Sequence, residues 1–583
     1  MTAGDPLDQT KSALGVLREV FGYSAFRGHQ AAAIDHVTGG GNAIVLMPTG
    51  GGKSLCYQIP ALLRQGTGIV VSPLIALMED QVTAVRELGI RAAYLNSSLS
   101  YPAQEKVGAA YANGELDLLY VAPERLIQPA TLELLRRNEV ALFAIDEAHC
   151  VSQWGHDFRP DYLGLDVLAA GWPQVPRIAL TATATEATRR EIVERLGPGR
   201  LFVASFDRPN IQYRIEPKTA VRDQLVRFIK EEHPGQCGIV YALTRKSTEE
   251  IANHLRARGI EALAYHAGME AGERRAVQRR FLMDDPVTVV ATIAFGMGID
   301  KPDVRFVAHV DLPKSVEGYY QETGRAGRDG EAATAWMAYG LADVVRQRHL
   351  IAESAGDSEF QRAAQARLDA MLALCETPHC RRANLLAYFG EQIEPCGNCD
   401  SCLAPPQTWD GTEAAQKLLS TVVRLDRERH QRFGAGQIIA ILRGQPNTRS
   451  EASRHLELST WGIGADLAEA EWRAVARQLL AHGNMAVDVH GAFAATARSW
   501  EVLRGERRVM LRRDLAPARP GRGRSRSGRG VSAGAGVLGA PGVAGVAGAS
   551  GAPGVAEAAG APGAAGVSGA PGVAGVAGAP GAA

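Results

Sequence analysis

Residues 46–54 read Leu46-Met47-Pro48-Thr49-Gly50-Gly51-Gly52-Lys53-Ser54, a glycine-rich turn between an apolar run and a helical one. Ahead of it, Ala43-Ile44-Val45-Leu46-Met47 is short, apolar and partly β-branched, as a strand buried on both faces must be. Behind it, Leu55-Cys56-Tyr57 opens a helix. Strand, turn and helix in that order build an anion cradle. Glycine lets the backbone curl and aim successive N–H groups inward. The helix N-terminus adds partial positive charge. Thr49, Gly50, Gly51, Gly52, Lys53 and Ser54 are therefore the predicted phosphate-binding residues. Lys53 would reach the terminal phosphates, and the Ser54 hydroxyl would ligate Mg²⁺.

A second buried-strand run, Val140–Ile145, ends at Asp146-Glu147-Ala148-His149. Two acids at a strand end are by themselves an ordinary surface feature. Downstream of a phosphate loop they suit catalysis, Asp146 holding Mg²⁺ and Glu147 polarising the attacking water. The pair predicts hydrolysis of a nucleoside triphosphate.

On either side of these motifs, apolar strand-like runs alternate with amphipathic helical ones from residue 11 to about 205. Gly68–Val71, Leu116–Val121 and Arg177–Thr181 join the two runs already named. The pattern restarts with Gly238–Tyr241, Ala262–Tyr265, Val287–Thr292, Arg305–Val310 and Ala333–Tyr339, and ends near 343. Such alternation predicts parallel sheets covered by helices. The fold class is α/β, two tandem parallel-sheet lobes at 1–207 and 208–343, with a hinge near Ser205–Asn210. In open α/β sheets ligands sit beyond the strands' carboxyl ends, which here means a cleft between lobes. The second lobe offers Gln321-Glu322-Thr323-Gly324-Arg325-Ala326-Gly327-Arg328. The spacing predicts Arg325 and Arg328 on one helix face, with Gln321 beside them. Facing the phosphates, the arginines would neutralise transition-state charge, worth roughly 10³–10⁵ in rate for arginine fingers.

At 583 residues the chain is too long for one core. Lys+Arg and Asp+Glu are both 63, so overall charge names no partner. No apolar run reaches membrane-spanning length, and no signal peptide is read, so a cytoplasmic protein is expected. Of eight cysteines, Cys56, Cys150, Cys237 and Cys375 are scattered. Cys380, Cys396, Cys399 and Cys402 cluster, and their spacing fits a tetrahedral Zn²⁺ with four thiolates. An iron–sulfur cluster is the chemical alternative. Four protein ligands leave no open position, so the site would be structural.

The chain resembles a RecQ-family DNA helicase of superfamily 2 over roughly residues 10–515. Met47 stands where the general phosphate-loop pattern has glycine, and the shorter Thr-Gly-Gly-Gly-Lys-Ser form looks like the helicase version. Phe21–Gln30 resembles the adenine-reading motif, which implies that Tyr23 stacks on the base, Gln30 bonds its edge and Arg27 joins them. The family's Pro-Gly is Gly28-His29 here. Val71–Leu77 and Val121–Leu126 resemble strand-tracking motifs. Thr181-Ala182-Thr183-Ala184 resembles the motif coupling ATP to DNA. Thr292–Pro302 resembles the second-lobe nucleic-acid motif, with Asp300 where Asn is common. His149–Pro160 is the most family-specific stretch, an aromatic loop in which Trp154, His156, Phe158 and Arg159 would contact DNA. Base-on-aromatic stacking is worth about 1–3 kcal/mol per base and ignores sequence.

The resemblance further implies a helical zinc-binding subdomain at 344–407 and a winged-helix domain at 408–515. Ala414–Arg427, Gln437–Arg443 and Glu469–His482 read as helices, and Asn484–Ala494 as a hairpin with His490 at its tip, where the resemblance implies a strand-separating wedge. Arg424, Arg427, Arg429, Arg432 and Arg443 could meet phosphates, although Glu451–Glu471 is acidic. Beyond 515, Arg519, Arg522, Arg524, Arg526 and Arg529 alternate with Gly, Ser and Pro as a basic arm. From Gly536 to Gly581 glycine recurs every third position in a collagen-like register, broken at Glu557. Sparse proline predicts a disordered low-complexity tail over 516–583, in place of the helical nucleic-acid-binding domain of many relatives.

The resulting expectation is an ATP- and Mg²⁺-dependent 3′–5′ DNA helicase with structural Zn²⁺, acting as a monomer at the bacterial nucleoid in recombination and repair. Its partners would be single-stranded and duplex DNA and a single-stranded-DNA-binding protein docked on the winged helix. An RNA helicase and a non-catalytic DNA-binding scaffold are the alternatives; intact Lys53, Asp146, Glu147, Arg325 and Arg328 speak against the second.

Overall fold

Seven short apolar runs form one parallel sheet. They are β1 (Ala43–Leu46), β2 (Thr67–Val71), β3 (Ala92–Leu95), β4 (Leu118–Val121), β5 (Val140–Ile145), β6 (Arg177–Thr181) and β7 (Arg200–Val203), in spatial order β3-β4-β2-β5-β6-β1-β7. Alternate side chains of β1 enter opposite layers. Ile44 and Leu46 pack with Ile69, Phe143 and Ile145; Ala43 and Val45 pack with Tyr57, Leu142 and Ala144. In β1, β2, β4 and β5 both faces are buried, which is why these strands read as continuous apolar runs rather than alternating ones. The computed structural model describes residues 12–73, 75–152, 159–283, 286–296, 301–354, 358–488 and 490–513. All of them belong to one compact unit, Met1–Ala516. Trp154, His156, Phe158, Asp300 and the tail from 514 lie outside the described residues.

A second parallel sheet follows, with β8 (Ile211–Pro217), β9 (Gly238–Tyr241), β10 (Ala262–Tyr265), β11 (Thr288–Ala291), β12 (Phe306–His309) and β13 (Ala333–Tyr339) in the order β10-β11-β9-β12-β13-β8. The two tandem parallel-sheet lobes read from the sequence are present. Three strands were not expected. β3 is Ala-Ala-Tyr-Leu, weak in β-branched residues. β7 is an edge strand with Arg200 and Leu201 exposed. β8 alternates buried and half-buried residues, the pattern of an edge strand rather than of a central one.

Beyond β13, helices Leu341–Ala352, Ser358–Glu376 and Arg381–Tyr388 lead to the cysteine cluster. The last part carries helices Thr412–Arg429, Ala435–Leu442 and Glu469–Ala481, then a hairpin of β15 (Ala486–Val487) and β16 (Phe493–Ala494). It closes on itself where β14 (Thr408–Asp410) pairs antiparallel with β17 (Met510–Arg512). The hairpin is short and tucked in. A Cβ on Gly491 would lie 3.0 Å from Val345 Cγ1 in the helix after β13. Asp488 Oδ1 accepts from the His490 and Ala492 N–H groups, both at 2.9 Å. His490 is exposed, but a turn this tight does not project a long wedge. Among the described residues no helix is long and apolar enough to cross a membrane.

Candidate nucleotide site and cysteine cluster

The strand order brings the sequence-predicted residues together. The phosphate loop leaves the carboxyl end of β1, the two acids leave β5, and β6 lies between those strands. Gly50 and Gly52 have φ of 81° and 71°, the left-handed region that glycine enters freely. Gly51 does not; a Cβ there would meet Pro48 O at 2.9 Å. Lys53 Nζ donates to Met47 O at 3.2 Å and Pro48 O at 3.4 Å, which aims it across the loop. Burial lowers the Lys53 pKa, opposed by Glu147 and Asp146.

Tyr23 and Arg27 are exposed near the loop's helix, open to a base. Gln30 is buried and already engaged. Its Oε1 accepts from Arg27 N at 2.8 Å, and its Nε2 donates to Gly51 O at 3.0 Å and Gly52 O at 3.2 Å. In this arrangement Gln30 braces the phosphate loop instead of presenting its whole amide to a base edge.

Asp146 is 8% exposed, and Tyr162 donates to its backbone oxygen at 2.9 Å. Burial, then Glu147, push its carboxyl up to about 6, with Lys53 pulling the other way. A buried acid pair facing one ammonium is a cation-seeking donor set. Asp146 and Ser54 fit Mg²⁺, whose charge would neutralise the phosphate oxygens.

Glu147 sits at φ 48°, ψ 44°, a left-handed conformation that residues other than glycine seldom adopt. The turn brings its carboxylate within 3.3 Å of His149 Nδ1. That nitrogen also lies 2.9 Å from Thr181 Oγ1. Thr181 Oγ1 donates to Thr183 O at 3.0 Å, and Gln321 Nε2 of the second lobe reaches Thr183 Oγ1 at 3.2 Å. A continuous polar path thus joins Glu147 to the opposite lobe. His149 and Thr181 were named in the sequence only as parts of motifs; their joint role has no signature in spacing.

The two arginines do not share a helix face as the spacing predicted. Their helix, Val316–Thr323, stops before them, and Gly327 turns the chain with φ 56°. Arg325 is buried in its own lobe and donates to Gly296 O. Arg328 faces the phosphate loop: a Cβ on Gly50 would lie 3.4 Å from Arg328 Cγ. Of the two, Arg328 is the one positioned toward a phosphate in the loop. Arg159 Nη1 donates to Pro73 O at 2.7 Å, tying the end of the aromatic loop to the segment after β2.

The sulfurs of Cys380, Cys396, Cys399 and Cys402 all lie within 4.8 Å of one another. Backbone N–H groups of Arg381 and Ala383 point at Cys399 Sγ and Cys380 Sγ at 3.3 and 3.4 Å, and that of Cys396 also reaches Cys380 Sγ, at 3.3 Å. Such donors suit thiolates already committed to a metal. Four soft ligands in this geometry fit tetrahedral Zn²⁺. Cys375 and His379 are not in the cluster.

Four family models match in chain order: DEAD/DEAH box helicase over residues 27–192, Helicase conserved C-terminal domain over 220–330, RecQ zinc-binding over 341–403 and RQC domain over 405–520. The ATP-dependent DNA helicase RecQ of Pasteurella multocida is 46% identical over 513 residues, 87% of this chain and 80% of that protein. The chain belongs to the RecQ family. Its counterpart in Haemophilus influenzae is 45% identical over 506 residues, 86% of this chain and 81% of that one. The protein of the same name in Bacillus subtilis is 41% identical over 456 residues, 77% and 76% of the two chains. The RecQ zinc-binding match spans all four clustered cysteines, so the metal is zinc and the iron–sulfur alternative falls away.

Within the RQC match, four of the five arginines expected at phosphates are engaged inside the fold. Arg424 pairs with Glu428 at 2.7 Å, Arg429 with Glu457 at 3.3 Å and Arg432 with Asp426 at 2.8 Å, while Arg427 lies over the Trp500 ring at 4.4 Å. Exposed pairs of this kind are worth at most about 1 kcal/mol, so a phosphate can displace the carboxylates.

Proposed function

We propose that the protein is an ATP-dependent DNA helicase whose motor is the cleft between the two parallel-sheet lobes. The observation that carries this is Arg328 of the second lobe packed against Gly50 of the first lobe's phosphate loop. A triphosphate in the loop is then met from one side by Lys53 and from the other by Arg328. Glu147 orients water for attack on the terminal phosphate, with Asp146 beside it. Thr49–Ser54 hold the phosphates through backbone N–H groups. Hydrolysis breaks the bond to the terminal phosphate, and once that phosphate leaves the cleft the charge that both lobes share is gone, so the lobes lose a reason to stay closed. Repeated closing and opening against one strand is translocation, and the winged helix engages the duplex ahead.

Trp154, His156, Phe158 and Arg159 form the DNA-sensing loop of this proposal. It leaves the helix Ala148–Val151, which begins at the hydrolysis acids. Finer parts of the reading rest on family resemblance. These are the 3′ to 5′ direction, monomeric action, a single-stranded-DNA-binding protein on the winged helix, a role in recombination and repair, and residence at the nucleoid. One assay tests the core: ATP-dependent strand separation of duplexes with a 3′ or a 5′ tail, in DNA and in RNA. Separation of the 3′-tailed DNA alone is expected. Equal activity on RNA would transfer the motor to the RNA-helicase reading.

A further inference from the structure

Between β7 and β8 the chain crosses from one sheet to the other, and Arg208 lies in that crossing. Its four Nη hydrogens meet four carbonyls. Nη1 donates to Thr49 O at 3.2 Å and Gly324 O at 3.1 Å; Nη2 donates to Ala326 O and Gly327 O, both at 2.9 Å. Thr49 precedes Gly50 in the phosphate loop. Gly324 and Ala326 flank Arg325, and Gly327 precedes Arg328. One guanidinium therefore grips the first lobe's phosphate loop and the second lobe's arginine turn. A planar fork with four Nη hydrogens is the side chain that can do this; an ammonium has three donors on one atom.

The crossing itself is held from outside. Glu391 accepts from Ser205 Oγ at 2.5 Å and Phe206 N at 2.7 Å. Arg382 Nη2 donates to Pro209 O at 3.1 Å and Ile211 O at 2.6 Å. Both residues lie in the zinc-binding segment, on either side of Tyr388. Asn210 Nδ2 adds a bond to Gly327 O at 2.8 Å. Arg208 is thus fixed at its base by the zinc subdomain, and its tip is shared by the two lobes.

We propose that Arg208 is a positioning residue for hydrolysis, an interlobe staple that sets Arg328 against the phosphate loop without touching the nucleotide. This rests on the reading of Lys53 and Arg328 as the hydrolysis site. Arg208 acts only when the two lobes close, so it contributes to turnover rather than to the initial capture of ATP.

The test uses the full chain with saturating single-stranded DNA. Steady-state ATPase, binding of a fluorescent non-hydrolysable ATP analogue, and thermal melting are measured for wild type, Arg208→Ala, Arg208→Lys, Arg328→Ala, Arg208→Ala/Arg328→Ala and Lys53→Ala. The expected result is a kcat at least about tenfold lower in Arg208→Ala with analogue affinity within about threefold of wild type. Arg208→Lys keeps the charge and the melting temperature but stays as slow as Arg208→Ala. The double variant is no slower than Arg328→Ala, because the staple works through that arginine. Wild-type kcat in Arg208→Ala, rescue by lysine, or additive losses in the double variant would each overturn the proposal. Lys53→Ala separates the two levels. If it is inactive while Arg208→Ala turns over normally, only the staple fails; if Lys53→Ala itself turns over normally, the site reading fails.

Discussion

Gln321 Nε2 donates to Thr183 Oγ1 at 3.2 Å, a hydrogen bond that crosses from the second lobe to the first. Thr183 is bonded to Thr181, and Thr181 to His149 beside Glu147. Four residues, Gln321, Thr183, Thr181 and His149, therefore link the second lobe to Glu147.

Removing the crossing bond should weaken this communication without harming ATP capture. Gln321→Ala is expected to lower DNA-stimulated kcat about fivefold, the worth of one hydrogen bond of about 1 kcal/mol. Nucleotide-analogue affinity should hold. The comparison is ATPase with and without DNA; unchanged stimulation would remove Gln321 from the path.

The cysteine cluster supports the hinge as well as itself. Structural zinc supplies folding free energy, apparent values running about 10–16 kcal/mol in small peptides. Cys399→Ser should lose zinc on metal analysis, melt at lower temperature and lose ATPase activity, since Arg382 and Glu391 hold the crossing segment. A variant that lacks zinc yet melts and hydrolyses like wild type would contradict the coupling.

Glu376 ties three parts of the chain together. It is fully buried, paired with Arg477 at 2.5 Å and Arg512 at 2.8 Å, and accepts from Tyr339 of β13. Burial alone would push its carboxyl up, but Arg477 and Arg512 outweigh burial and hold it down at about 2, from an ordinary 4.5. A carboxyl depressed on folding gives stability that is fully present above the unfolded value and is lost as pH falls from there toward the folded one. Glu376→Gln should cost about 3–5 kcal/mol at neutral pH. Denaturant titrations should show that gap shrinking below pH about 4.5. A gap constant from neutral to acid pH would mean the charge is not what stabilises.

The arginines beyond residue 515 give a prediction of another kind. Each phosphate neutralised contributes about 0.7–0.9 to the slope of log affinity against log salt. Truncation after Leu515 should flatten that slope by up to about four, with ATPase at saturating DNA unchanged. An identical slope would show that Arg519–Arg529 do not reach the DNA.

Some of this was legible in the chain and some was not, for physical reasons. Strands buried on both faces announce themselves as apolar runs, so β5 and β13 were read within a residue. The edge strand β7 has an exposed face and gives no such signal. The phosphate loop was readable because glycine at Gly50 and Gly52 is required by the backbone itself. The arginine turn was misread as helix because a three-residue spacing is silent about where a helix stops. Arg208 and Glu376 were invisible: each binds partners brought close only by the fold, Thr49 to Arg208 and Arg512 to Glu376.

If the Lys53 cleft drives strand separation, unwinding depends on that lysine. The direct measurement is unwinding of a 3′-tailed DNA duplex by wild type and Lys53→Ala at equal DNA occupancy. Lys53→Ala is expected to bind DNA within about twofold of wild type, with ATPase and unwinding both reduced by at least about a hundredfold. Unwinding by Lys53→Ala at the wild-type rate would contradict it.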